Sequence, residues 1–98
     1  MEKVIIIREE SHGTIGVAKD MYGAFVFLIE DNWINEDFMI VLNFCTDQEE
    51  WVSLEELMDR YECATVFEIL LYLWEQDKDF LEGSFYFEEY KVYEYNPK

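Results

Sequence analysis

The sequence predicts an α+β domain in which a small, mostly antiparallel β-sheet has about three helices packed on one face. Two observations predict this fold class. Short runs of β-branched and aromatic residues alternate with longer segments whose apolar residues recur at helical spacing. The 98 residues are 51% hydrophobic and 18% aromatic, which suits one compact domain spanning residues 1–98.

The chain begins with a predicted β-hairpin. The β-branched run Val4–Ile7 favours a buried strand over Lys3–Glu9. Ser11–Gly13 is typical of a turn, and Thr14–Ala18 is then the returning strand.

A first helix is predicted from Asp20, which can act as its N-cap, to about Trp33. Met21, Phe25 and other apolar residues at helical spacing form its inward face. Gly23 costs up to ~1 kcal/mol relative to Ala in such a helix. We therefore expect a closely packed neighbour at that position.

The middle of the chain is predicted to contain a strand, an acidic loop and a second helix. Phe38–Asn43 favours the strand, and Thr46–Glu50 the loop. Ser53 and Glu56 have the S-x-x-E spacing of a capping box. A short helix beginning there would turn its leucines inward and its acids toward water.

A third helix is predicted over Ala64–Gln76, and its residues are apolar almost all round. Such a helix is central to a core or lies under a partner, so we expect a homodimer or adaptor contact through residues 64–76.

After Gly83, the segment Ser84–Tyr95 favours one or two strands. Its apolar phase shifts at Glu88–Glu89, which predicts a bulge or tight reversal there.

The charge restricts the function classes. There are 23 Asp and Glu against 7 Lys and Arg, a formal net charge of −16, and residues 20–59 contain no Lys or Arg. Nucleic-acid binders use Lys and Arg to neutralise phosphates, and anionic membranes attract the same cations. We therefore expect no direct binding to nucleic acid or membrane, and a partner with a basic protein surface.

The candidate binding residues are closely spaced carboxylates in the middle of the chain. A chain of this mass exposes roughly 6,000 Å², so its net charge spread evenly gives about one charge per 370 Å². Duplex DNA has roughly one per 100 Å², so imitation of DNA requires the acids to gather on one side. The residues predicted to form this anionic patch are Glu36, Asp37, Asp47, Glu49, Glu50, Glu55, Glu56 and Asp59. The alternative is an ordinary solvated surface.

The sequence contains no recognisable catalytic or metal-binding motif. The single histidine, His12, precedes Gly13 and is typical of a turn residue rather than a member of a triad. One histidine and two cysteines are too few for a four-ligand zinc site, and no cofactor is expected. Cys45 and Cys63 are expected to be buried thiols. No apolar run is long enough for a signal or membrane segment, which predicts a cytoplasmic protein.

Four segments carry a resemblance to a group of known proteins. They are Glu10–Ala18, Asn32–Ile34, Gly83–Tyr86 and Val92–Glu94. In these segments the chain resembles short acidic proteins, themselves uncharacterised, from phages and mobile elements of Gram-positive bacteria. Such genomes encode small acidic inhibitors of host nucleases, including anti-CRISPR and anti-restriction proteins.

Three functional hypotheses follow. The first is a non-enzymatic, DNA-mimicking inhibitor that occupies the basic channel of a host nuclease or DNA-binding defence protein. The second is an oligomeric or adaptor module that uses helix 64–76 and the Tyr-rich C-terminal strand. The third, an enzyme with two carboxylates as acid and base, requires two acids in one cleft with pKa values pushed apart.

Overall fold

The computed structural model describes residues 2–42, 50–81 and 83–92. Within these ranges the chain forms a compact α+β fold with a three-stranded antiparallel sheet, a two-stranded sheet and three helices, which confirms the predicted fold class. The elements follow in the order β1 (Glu2–Glu9), β2 (Gly13–Ala18), α1 (Met21–Glu30), β3 (Met39–Leu42), β4 (Glu50–Ser53), α2 (Leu54–Arg60), α3 (Val66–Gln76) and β5 (Phe85–Val92).

The larger sheet has the strand order β2-β1-β5, and its β1–β5 register is uninterrupted. The bulge predicted at Glu88–Glu89 is therefore wrong, and residues 93–95 of the predicted strand lie outside the described ranges. Glu89 does lie on the helix-facing side of the sheet, but beyond the edge of the core. There its carboxylate is 3.2 Å from the Lys3 ammonium and is exposed, so the strand continues without a kink.

The bulge lies instead in the predicted β1–β2 hairpin, where Ile15 is the extra residue of β2. Gly16 follows it at the point where α1 crosses the sheet. A Cβ on Gly16 would lie 2.6 Å from the Cζ of Phe27, so only glycine allows this approach. A Cβ on Gly23 would lie 3.4 Å from that of Ala18, which is the close neighbour expected for this helical glycine.

Helix α1 begins as predicted but ends earlier. The Asp20 carboxylate accepts a hydrogen bond from the Gly23 amide at 2.8 Å, which confirms the N-cap. The helix ends at Glu30 because Asn32 adopts a left-handed conformation with φ of 59°. The amides of Trp33 and Ile34 then bond to a carbonyl of the last helical turns.

The second sheet pairs β3 with β4, and it leads directly into α2. Strand β4 was not predicted, because Glu50 was assigned to the acidic loop, whose other residues lie outside the described ranges. The predicted cap of α2 is confirmed, since the Ser53 hydroxyl accepts a hydrogen bond from the Glu56 amide at 3.2 Å. The strand–cap–helix sequence fixes where the acids of α2 project.

Helix α3 lies at the centre of the helical layer, with α1 on one side and α2 on the other. Among the described helices, α1 makes the main contacts with the three-stranded sheet, so the helices stack behind one face instead of covering it side by side. All the apolar residues of α3 are buried or half-buried by the chain itself. The chain itself thus covers much of this helix, and the partner contact over residues 64–76 stays a prediction.

The opposite face of the three-stranded sheet is open. Strand residues with the outward phase include Val17, Tyr86 and Tyr90, which are 57%, 41% and 46% exposed. No described helix covers them.

Candidate acidic interface

The fold separates the charge of the chain into two parts. Residues 20–77, which form the helices and the β3–β4 sheet, contain fifteen acids and one Arg, a formal charge of −14. The remaining residues, which include the whole three-stranded sheet, contain eight acids and six basic residues, a charge of −2. Of the described residues, those of the helices and the β3–β4 sheet therefore carry most of the negative charge.

Backbone hydrogen bonds bring two of the predicted acidic segments together. The Glu55 amide donates to the Glu36 carbonyl at 3.0 Å, and the Leu54 amide donates to the Phe38 carbonyl at 2.9 Å. The Asn35 side-chain oxygen accepts a hydrogen bond from the Asp37 amide. The 35–38 turn is thereby fixed beside the first turn of α2. We call the exposed acids gathered here the acidic surface: Glu36, Asp37, Glu50, Glu55, Glu56 and Asp59.

Arg60 is the one cation in this region of the sequence. Its Nη2 lies 3.5 Å from the Glu50 carboxylate and 3.4 Å from that of Glu56, linking β4 to α2. Partial desolvation lowers the Arg60 pKa, but the hydrogen bond to Glu50 and the nearby negative charges outweigh it and raise the pKa. Exposed pairs of this kind add little stability. Arg60 neutralises at most one charge of the acidic surface.

An exposed apolar patch, which the sequence interpretation missed, adjoins the acidic surface. Trp51 is 62% exposed and Met39 is 45% exposed. The two lie diagonally across the β3–β4 pair on its outer face, because Val52 and Ile40 turn inward into the core. A large exposed aromatic side chain is typical of a binding anchor, and Trp51 directly follows Glu50 of the acidic surface along β4. The four residues Glu50–Ser53 do not alternate apolar and polar side chains, so the sequence contained no local signal for this strand.

The structure therefore brings together six of the eight predicted residues. Asp47 and Glu49 lie outside the described ranges. Glu55 and Glu56 lie in the first turn of α2, where the helix dipole stabilises negative charge. These acids can accept hydrogen bonds and ion pairs from a cationic partner.

His12 lies in the β1–β2 turn, where the sequence placed it. Its Nδ1 is 2.5 Å from the Glu9 carboxylate, which also accepts hydrogen bonds from the amides of Ser11 and His12. The hydrogen bond with the His12 ring, reinforced by these amides, lowers the Glu9 pKa. The carboxylate thus organises the turn.

The remaining candidate groups are dispersed. Cys63 is a half-buried thiol whose pKa is raised by burial, while Cys45 lies outside the described ranges. Among the described residues, no group of three or more His, Cys, Asp or Glu is placed to hold a metal ion. None of the helices in those ranges is long and apolar enough to cross a membrane.

Comparison of the chain with protein-family models, curated proteins and solved structures found no match.

Proposed function

We propose that the protein is a non-enzymatic inhibitor that occupies the basic nucleic-acid channel of a host nuclease or DNA-binding defence protein, as anti-CRISPR and anti-restriction proteins do. The observation that carries the proposal is the separation of charge, with −14 on residues 20–77 and −2 on the rest. A face of this charge attracts a cationic cleft over long range and accelerates encounter with it.

The density of charge decides what else the interface needs. If the thirteen carboxylates of residues 20–42 and 50–77 occupied half of the 7114 Å² surface, they would correspond to about one per 270 Å². Duplex DNA has roughly one charge per 100 Å². The acidic surface is thus a weaker polyanion than DNA, so charge alone would lose the competition for a DNA channel.

Trp51 and Met39 supply the missing affinity in this proposal. A large aromatic side chain that becomes fully buried in a partner is a common source of binding energy. The partner would therefore offer a basic groove with an apolar recess, so that the acids select the groove and Trp51 holds the complex.

The test uses a matched pair of charge reversals. Glu55→Lys with Asp59→Lys changes the acidic surface, and Glu10→Lys with Asp79→Lys makes the same charge change elsewhere. All four residues are exposed. The immobilised wild-type chain is incubated with lysate of a Gram-positive host at low and high salt. Captured proteins are then identified and challenged with duplex DNA.

The expected result is capture of a nucleic-acid-binding protein that duplex DNA displaces and that high salt releases. The Glu55/Asp59 variant should bind it about 10-fold or more weakly, since two attractive charges become repulsive. The Glu10/Asp79 variant should bind about as tightly as the wild-type chain. Trp51→Ala should lose binding without losing stability. The proposal would be refuted if the two double variants weakened binding equally, or if duplex DNA failed to displace the captured protein.

A further inference from the structure

Among the described strands, β5 is an edge strand of the larger sheet, and its outer side carries backbone hydrogen-bonding groups that no described strand pairs with. The Glu10 amide donates to the Ser84 carbonyl at 3.1 Å. Hydrogen-bonded pairs alternate along an antiparallel ladder, and the β1–β5 register is regular. The N–H and C=O groups of Phe87, Glu89 and Lys91 therefore point away from β1, toward the edge.

A groove of about 720 Å³ runs beside this edge. Trp74 and Lys78, at the end of α3 and just beyond it, form one wall, and Phe87 and Glu89 form part of the other. The Lys78 ammonium lies 3.7 Å from the centre of the Trp74 ring, folded back onto α3. An added strand thus has both hydrogen-bonding groups and space beside β5.

Among the described residues, the charges at this end of β5 are incompletely matched. Lys3 lies directly opposite Lys91 on β1 and β5, and like charges in that position are destabilising. Glu89 lies 3.2 Å from Lys3. A second carboxylate placed opposite Lys91 would complete a matched set of two cations and two anions around the strand edge.

We propose that this edge binds a second copy of the same chain, with the two β5 strands antiparallel about a two-fold axis at Tyr90. This register places Glu89 of each copy opposite Lys91 of the other. Both residues present outward backbone groups, so they form hydrogen-bonded pairs as well as ion pairs. The two three-stranded sheets become one continuous six-stranded sheet, and the interface is isologous.

Neighbouring registers are excluded by charge or by hydrogen bonding. An axis at Glu88, Glu89 or Lys91 would place identical charges face to face. An axis at Phe87 would set Glu89 against Phe85, whose amide already donates to the Leu81 carbonyl at 3.0 Å. Of the axes within the described residues 87–91, only the one at Tyr90 matches charge and hydrogen bonding together.

The position of the net charge also favours this surface. The strand edge belongs to the part of the chain with a charge of −2, whereas residues 20–77 carry −14. Association here keeps the strongly negative sides apart. Since each copy still carries −16, screening by salt should strengthen the dimer. Binding of a basic partner responds to salt in the opposite direction, so the two interactions are separable.

Charge exchange tests the register directly. Sedimentation equilibrium of the full chain in about 0.3 M NaCl measures the dimer dissociation constant for wild type, Glu89→Lys, Lys91→Glu and the double exchange. Each single variant creates two repulsive pairs and should weaken the dimer about 10-fold or more. The double exchange restores opposite charges across the interface and should recover affinity to within about 3-fold of wild type.

Two controls carry the same charge changes away from the edge, Glu68→Lys and Lys19→Glu, and should leave dimerisation unchanged. Circular dichroism verifies that each variant is folded. Lys91→Pro removes an outward amide and should also abolish the dimer. A wild-type chain that stays monomeric up to about 1 mM, or a double exchange no better than either folded single variant, would overturn the proposal.

Discussion

Replacing Phe25 by alanine tests the centre of the core. The ring is fully buried, and it makes edge-on contacts with three other rings at centroid distances of 6.1 Å. These rings belong to three separate segments: Trp74 on α3, Phe80 in the following turn and Phe87 on β5. Phe25 therefore joins α1 to both the helical layer and the sheet.

The expected cost follows from those contacts. Removal of a buried Phe side chain costs about 3–5 kcal/mol, and more where the surroundings cannot collapse. The cavity at Phe25 is bounded by rings held on three different elements, so we expect a value near the upper limit, ~4–5 kcal/mol. A domain of this size is stable by roughly 5–15 kcal/mol, so this loss removes between about a quarter and all of the stability.

Urea unfolding followed by circular dichroism measures the loss. Val26→Ala is the matched control, because Val26 is the next residue of α1 but is 39% exposed, and its loss should change stability by only about 0.5 kcal/mol. Trp74→Ala provides a graded comparison. Trp74 is only half-buried and has Lys78 over its ring, so the loss of its side chain should cost less, ~2–3 kcal/mol.

A Phe25→Ala chain that loses less than about 1.5 kcal/mol, or that loses no more than Val26→Ala, would refute this account of the core. A larger loss for Trp74→Ala than for Phe25→Ala would show that the packing centre lies in α3 instead.

Three further predictions concern other parts of the fold. Gly16→Ala should destabilise the chain by about 1–3 kcal/mol in urea unfolding, because its Cβ would collide with the Phe27 ring. The bond to His12 lowers the Glu9 pKa, so this carboxylate stabilises the folded state above its unfolded pKa. That contribution is lost as pH falls through the lower folded pKa, and Glu9→Gln should flatten the acid limb of a stability–pH curve. Cys63, whose pKa is raised by burial, should react more slowly with iodoacetamide at pH 8 than a free thiol.

Each of these has a clear contrary result. An unchanged midpoint for the Gly16 variant would show that the Phe27 ring moves aside without cost. An unaltered acid limb after Glu9→Gln would remove the turn carboxylate from the pH dependence. Reaction of Cys63 at the rate of a free thiol would contradict its burial.

The parts of the fold predicted correctly are those decided by local chemistry. The caps at Asp20 and Ser53 were identified because a side-chain oxygen can satisfy helix amides three residues later, without reference to the rest of the chain. The strand at Val4–Ile7 followed from its β-branched composition.

The errors share a physical cause, which is that each position was interpreted without its neighbours in space. The inward charges of β5 suggested a bulge, but the sheet extends past the core, where Glu89 meets Lys3. Trp51 gave no signal because the short strand that exposes it forms only by pairing with β3. Gly16 gave no signal either, because the requirement for glycine at this position comes from the Phe27 ring on α1.

The sequence by itself determined the composition of the molecule: an aromatic core, its capped helices and an excess of sixteen negative charges. Only the tertiary structure decided where that charge lies. Packing α1, α3 and α2 in succession behind a single face of the sheet places most of the described acids on the helical side, whereas the described strands of the larger sheet carry nearly equal numbers of acids and cations. The physical reason is that charge adds along a chain regardless of order, whereas the electric field of a surface depends on which charges folding makes neighbours.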